Sequence, residues 1–220
     1  MNAVTTKPQI CAHAGCEGLP MDGLEAIEAG IQAGAHFVEL DLRFTRDGLA
    51  VLSHDPVGSR APASLTPLDR ALDLLARHPG VGINVDVKDL SSLISAPTRL
   101  TRGEVPNAVY YTGLKSRQLR RFQKGCPGLA HTVDNLPWWF PLASANARTA
   151  HLTRLKEAGV VALNLSYVLV DERLMDASRQ SGLPVRVWTV DDKQAMARMA
   201  ALGVEVITTN RVTELRQVLA

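Results

Sequence analysis

The chain has 220 residues with 24 Lys+Arg against 22 Asp+Glu, so its formal net charge is +2 and it lacks the basic excess expected of a nucleic-acid partner. Hydrophobic residues make up 46% of it and charged residues 21%, the balance of a globular domain and not of a disordered or collagen-like chain. No apolar run approaches the ~18 residues of a transmembrane segment, and Met1 to Pro8 has no apolar stretch of a secretory signal, so the chain reads as a cytoplasmic protein.

Short β-rich runs alternate with segments of helical period almost from end to end, and residues 1–220 read as one domain. The first strand is expected over 9–14 and is followed by a helical pattern over 24–33. A second strand over 37–44 runs into an Asp47-Gly48 turn signal, after which 48–54 reads as a hairpin return that places His54 near the end of the second strand. Further strands are expected over 82–88, 108–113, 128–134, 161–167, 184–190 and 204–210. Helical patterns fall over 68–77, 116–124, 147–158, 171–181 and 193–202, with a last helix from Thr213. Residues 89–107 carry only a weak helical pattern and no assignment. Eight strands and their helices in so short a chain predict an α/β fold, a compact (β/α)8 TIM barrel.

Cys11, Cys16 and Cys126 are odd in number and unrelated in spacing, which argues against a disulfide framework. Cys11, His13 and Cys16 lie close together, yet no fourth ligand stands at zinc-site spacing.

Charges inside strands are the strongest local signal. In 37–44, Glu39, Asp41 and Arg43 share one face while Val38, Leu40, Leu42 and Phe44 share the other. If the apolar face packs on helices, the charged face points into the barrel or its mouth, where paired carboxylates are costly without a cation. The third strand repeats the pattern, with Asn84, Asp86 and Lys88 alternating with Ile83, Val85 and Val87. Functional residues of such barrels collect at the C-terminal ends of strands. Glu39, Asp41 and Asp86 thus form a hard-oxygen set for one divalent cation, Mg2+ or Ca2+, with Lys88 beside them. A salt-bridge network around Lys88 and Arg43 is the other reading of the same charges. His13 and His54 face the same mouth, and two imidazoles beside a cation can serve as base and acid in phosphoryl or acyl transfer. Asp55 either orients His54 or caps the next turn, and His36, His78, His131 and His151 read as surface or packing residues.

The order His13, Gly34-Ala35, Glu39-Leu40-Asp41, Thr45-Arg46-Asp47-Gly48, His54-Asp55-Pro56, Asp86-Val87-Lys88 and Val187-Trp188-Thr189-Val190, closed by Gly203-Val204 and Thr208-Thr209-Asn210, resembles the glycerophosphodiester phosphodiesterase family over nearly the whole chain. The resemblance implies metal-dependent hydrolysis of glycerophosphodiesters to glycerol 3-phosphate and an alcohol. It matches Glu39, Asp41 and Asp86 to the metal ligands, His13 and His54 to the acid/base pair, Lys88 to a phosphate contact and Trp188 to a pocket-lining aromatic. It also implies attack of the glycerol 2-hydroxyl on its own phosphate, giving a cyclic intermediate that water opens.

The chain departs from the family pattern in places. Ala14 stands where Arg usually follows the first histidine, and Pro20-Met21-Asp22-Gly23 replaces the usual Pro-Glu-Asn-Thr, which is expected to remove a supporting carboxylate. Asp86 is one methylene shorter than the usual Glu. The segment between His54 and the third strand is short, which leaves a more open mouth. Leu136-Pro137-Trp138-Trp139-Phe140-Pro141 either packs on the barrel rim or forms an apolar lid for a lipid-like substrate such as a lysophospholipid, which allows transient membrane contact through Trp138, Trp139 and Phe140. Sphingomyelinase D-like relatives share the missing Arg and the Asp-x-Lys pairing, which makes a cyclic-phosphate-forming enzyme the runner-up. A non-catalytic phosphate-binding barrel is the reading from another class.

Overall fold

The structure is a computed structural model that describes residues 7–58 and 65–220. In chain order it runs β1 (Gln9–Ala12), α1 (Leu24–Gln32), β2 (Phe37–Phe44), β3 (Ala50–Leu52), β4 (Thr66–Pro67), α2 (Leu68–Leu75), β5 (Gly82–Val87) and α3 (Leu90–Ser95). It continues with β6 (Val109–Thr112), α4 (Leu119–Gly125), β7 (His131–Val133), α5 (Ala145–Glu157), β8 (Val160–Ser166), α6 (Glu172–Ser181), β9 (Val185–Trp188), α7 (Lys193–Leu202), β10 (Val206–Thr209) and α8 (Val212–Val218).

The expected barrel is present. Strands β1-β10-β9-β8-β7-β6-β5-β2 pair in parallel in that order, and β1 closes the ring on β2. The barrel packs because outward positions such as Val38, Leu40, Leu42, Ile83 and Val85 are buried under helices whose apolar faces repeat at helical spacing, as with Leu68, Ala71, Leu72 and Leu75 of α2. Helix α1 approaches β1 closely at Gly30, where a Cβ would come within 2.6 Å of the Ala12 Cβ. Near the N-terminal ends of the strands the interior is plugged: the Arg186 guanidinium lies 4.0 Å from the Tyr110 ring centroid and its Nε donates to Glu205 Oε2 at 2.7 Å. The pocket lined by the strand-end residues lies at the opposite, C-terminal end.

The hairpin return is the antiparallel β3, paired with β2 through Leu42↔Leu52 and Phe44↔Ala50. The additional β4 pairs with β3 over two residues, too short to leave a periodic signal. Several expected strands are trimmed. Gly128, with φ +79°, takes a left-handed turn that delays β7 until His131. In the unassigned 89–107 stretch, Asp89 caps α3 by accepting from the Ser91 and Ser92 amides at 3.1 Å each. The expectation of an open mouth rests on the segment after His54, of which residues 59–64 lie outside the described residues.

Candidate active site

The parallel register of β2 and β5 sets the centre of the site. It places Glu39 beside Asn84 and Asp41 beside Asp86 on the inward face. Glu39 is buried, and its Oε2 accepts from Asn84 Nδ2 at 3.1 Å while Asn84 Oδ1 accepts from Thr112 Oγ1 at 2.9 Å. Lys88 Nζ lies 2.6 Å from Asp86 Oδ2 and 3.2 Å from Asp41 Oδ1. One oxygen each from Glu39, Asp41 and Asp86 lie within 4.8 Å of one another.

The electrostatics describe a cluster short of positive charge. Burial pushes the Glu39 carboxyl well above its ordinary range, and repulsion from Asp86 and Asp41 adds to the rise. Asp41 is also raised, by burial first, although Lys88 opposes it. Burial works to lower Lys88, but the Asp86 and Asp41 carboxylates outweigh it and hold the ammonium above its usual value. Asp41 Oδ2 is buried and meets no hydrogen-bond donor among the described residues. One lysine is too little for three carboxylates. An all-oxygen donor set with an orphaned buried oxygen fits a hard divalent cation. Among the described residues Arg43 forms no ion pair there, and its Nε and Nη2 donate to the His54 carbonyl oxygen at 3.2 and 2.8 Å.

Both histidines reach the same pocket, a cavity of about 600 Å3 at the C-terminal end of the barrel. His13 follows β1, and its Nε2 stands 4.0 Å from Glu39 Oε1. Its Nδ1 is 2.8 Å from Asn210 Oδ1. Asn210 cannot turn freely, because its Nδ2 donates to Asp191 Oδ2 at 2.7 Å and its backbone amide to Asp191 Oδ1 at 2.8 Å. The amide oxygen thus faces His13, the Nδ1 carries the hydrogen, and in the neutral ring the Nε2 lone pair points toward Glu39. The backbone of His54 is clamped on both sides, by Arg43 at its carbonyl and by Asp22 Oδ2, which accepts from its amide at 2.9 Å. His54 Nδ1 lies 3.1 Å from Asp55 Oδ1, which realises the orienting reading of Asp55 on an exposed pair.

Asp22 corrects one expectation. The departure at Pro20-Met21-Asp22-Gly23 does not strip the site of a supporting carboxylate, because Asp22 turns through a left-handed φ of +64° and puts its own under the His54 amide. Burial lifts that carboxyl to about 6 against the lowering effect of the His54 amide. Its place was hidden because backbone conformation, not spacing, aims the side chain.

Other pocket residues escaped the sequence reading. Asp134 ends the expected strand 128–134 as Asp86 nearly ends its own, so the rule that flagged Asp86 applied to it as well. Gly113 left no chemical signal. Its φ is +77°, and a Cβ there would overlap Asp86 Oδ1 and stand 2.9 Å from the Val87 carbonyl oxygen. Gly113→Ala is therefore expected to displace Asp86, weaken divalent-cation affinity at least about tenfold and lower stability by about 1–2 kcal/mol from the left-handed backbone. Calorimetric titration with Mg2+ or Ca2+ and thermal unfolding check both parts.

Trp188 lines the pocket, with its Nε1 donating to the Asn164 carbonyl oxygen at 3.3 Å. Of the two readings of 136–141, packing on the barrel rim describes Trp139 and Phe140, while Trp138 stays outside. Phe140 is buried, and Trp139 packs on it and edge-on against His151, with ring centroids 6.1 and 5.1 Å away. Trp138 alone of the three projects, 84% exposed, and the other exposed apolar side chains in this region are Leu142, Val168 and Leu169. Cys11 and Cys16 are buried and form no metal group with His13 among the described residues.

A phosphodiesterase on a (β/α)8 barrel, with a carboxylate cluster and two histidines at its C-terminal mouth, is the class these features define. The family model described as "Glycerophosphoryl diester phosphodiesterase family" matches residues 13–93 and 106–214, and the chain belongs to that family. A Mycobacterium tuberculosis protein named "Probable glycerophosphodiester phosphodiesterase 2" is 27% identical over 236 residues, covering 94% of this chain and 89% of the relative. A glycerophosphodiester phosphodiesterase of Caldanaerobacter subterraneus subsp. tengcongensis is 22% identical, over 93% of this chain and 94% of its own. Among solved structures, an Oleispira antarctica phosphodiesterase in complex with its product sn-glycerol-3-phosphate superposes with a TM-score of 0.79 at 17% identity, over 97% of each chain. Family membership favours glycerophosphodiester hydrolysis over both the sphingomyelinase D-like and the non-catalytic alternatives. No helix among the described residues is long and apolar enough to cross a membrane.

Proposed function

We propose that the protein hydrolyses glycerophosphodiesters to glycerol 3-phosphate and an alcohol, with Glu39, Asp41 and Asp86 holding one Mg2+ or Ca2+ and with His13 and His54 moving the protons. The observation that carries this reading is the approach of the three carboxylates to within 4.8 Å of one another, two of them, Glu39 and Asp86, lining the pocket that both histidines line. A hard cation bound there supplies charge neutralisation at the phosphate oxygens. Lys88, already between Asp41 and Asp86, adds a phosphate contact, and Trp188 walls the substrate. His13 offers Nε2 as the acceptor for the glycerol 2-hydroxyl proton, held in that tautomer by Asn210 and Asp191. His54 then donates to the departing alcohol oxygen, and the roles reverse when water opens the cyclic phosphate. Three buried, unpaired cysteines fit a reducing compartment, and we place the enzyme in the cytoplasm on that support.

The finer substrate reading is a lysophospholipid, supported by the projecting Trp138, Leu142, Val168 and Leu169 on the loops after β7 and β8. Trp138 and Leu169 share a groove of about 340 Å3 that adjoins the catalytic pocket at Asp134. Trp138→Ala combined with Leu169→Ala is expected to lower kcat/KM for lysophosphatidylcholine by about tenfold or more, since two apolar contacts of 1.5–3 kcal/mol are only partly made, and glycerophosphocholine much less. Equal losses on the two substrates count against an acyl-chain role.

The activity itself is tested by incubating the protein with glycerophosphocholine and, separately, lysophosphatidylcholine, with Mg2+ or Ca2+ and a chelator control, and following products by phosphorus NMR. Chelator-sensitive glycerol phosphate is expected from the first. A stable cyclic phosphate from the second alone sinks the hydrolytic reading, and the more active cation settles the metal.

A further inference from the structure

Asp134 is a carboxylate that the mechanism above does not use. It follows β7 and lines both the catalytic pocket and the adjoining groove. Three donors fix it: the Gly113 amide and Asn164 Nδ2 give hydrogen bonds to Oδ2 at 3.0 and 2.8 Å, and Thr132 Oγ1 gives one to Oδ1 at 2.8 Å. A carboxylate has about four acceptor sites, so one on Oδ1 stays open. What it lacks is charge. Among the described residues no Lys, Arg or His forms an ion pair with it, and Lys115, which lines the same pocket, is no exception. Burial accordingly lifts its carboxyl to about 7 in spite of the three hydrogen bonds. A preorganised carboxylate without a counter-ion is a poor structural element and a good receptor for a cation.

The cation it suits is organic. Two of its acceptor sites are already committed to N–H groups, and it stands outside the Glu39, Asp41 and Asp86 group, so it is badly placed as a metal ligand. Asn164 tethers an aromatic to the same wall: its side chain holds Asp134 and its carbonyl oxygen holds the Trp188 indole. A carboxylate and an indole lining one pocket are the pair of groups that receives an alkylammonium head.

We infer that Asp134 is a specificity residue that binds the positively charged head of the leaving alcohol, so that the preferred substrates carry an ammonium group such as choline or ethanolamine. This rests on the phosphodiesterase reading and narrows its substrate class. In Asp134→Asn the amide oxygen still accepts from Gly113 and Asn164 while the amide nitrogen donates to Thr132, so the hydrogen bonds survive and only the charge is removed.

The test compares kcat/KM for glycerophosphocholine with that for glycerophosphoglycerol, whose head is neutral. Wild type is expected to prefer the first, and Asp134→Asn to reduce that preference at least about tenfold, chiefly through KM, as expected for a lost contact to a charged group. An unchanged ratio overturns the assignment. If wild type turns over neither substrate, the phosphodiesterase reading falls first and takes the assignment with it. A measurement independent of the variant's folding is calorimetric binding to wild type saturated with Mg2+ or Ca2+, comparing choline with its uncharged isostere 3,3-dimethylbutan-1-ol. Choline is expected to bind at least about tenfold more tightly. Equal affinities, or a second divalent cation bound by wild type and lost in Asp134→Asn, overturn the proposal.

Discussion

His13→Ala and His54→Ala are each expected to lower kcat by about 10²–10⁴-fold, the range of a single general acid or base, while thermal stability and cation binding stay near wild type. The reason for the separation is positional. His13 lies just outside β1 and is 19% exposed, and the His54 side chain is 55% exposed, so neither ring is part of the buried core. The clamps on His54 act on its backbone, through Arg43 and Asp22, and survive loss of the imidazole. Steady-state kinetics on glycerophosphocholine with unfolding curves alongside measure both halves. Near wild-type turnover in either variant removes that histidine from the proton relay.

Glu39→Gln is expected to abolish divalent-cation binding and lower kcat/KM by about 10³-fold or more, because cation stabilisation of the transition state is worth several kcal/mol and about 1.4 kcal/mol is a factor of ten. The same substitution reports on stability. Glu39 has a raised carboxyl pKa in the folded protein, so the native state holds its proton more tightly than the unfolded chain does. Its stabilising contribution is fully present below the ordinary glutamate value of 4.5 and is lost as pH rises through the raised value. Glutamine keeps the contact to Asn84 by accepting through its amide oxygen and never ionises. Without divalent cation, the melting temperature of Glu39→Gln should therefore gain on wild type as pH rises from acid toward alkaline. Added Mg2+ or Ca2+ should close that gap by stabilising wild type alone. Unchanged cation affinity and a pH-independent gap would make the cluster a structural salt-bridge network.

Much of this arrangement could be read from the chain. The strand 37–44 carries Glu39 and Asp41 on one face because side chains alternate with period two, and the same rule aligned Asp86 with Lys88. The Asp47-Gly48 turn delivered His54 to the mouth through β3, since a hairpin's register follows from its turn. Where the chemistry came from backbone shape, spacing was silent. Asp22 reaches the His54 amide only through its left-handed φ, and Gly113 matters only because Asp86 leans against it.

The barrel, and the meeting of Glu39, Asp41 and Asp86 near a mouth lined by His13 and His54, were legible in the chain, because strand periodicity and the clustering of functional groups at strand ends are local rules that a barrel repeats eight times. Only the tertiary structure decided which groups support them. Asn210, held by Asp191, reaches His13 across 197 residues of sequence and the closure of β10 on β1. Asp134 meets Asn164 from a neighbouring strand, and Trp139 and Phe140 fold inward while Trp138 stays out. These pairings depend on which side chains adjacent strands and loops bring within hydrogen-bond or van der Waals reach, a property of the closed barrel that no single segment contains.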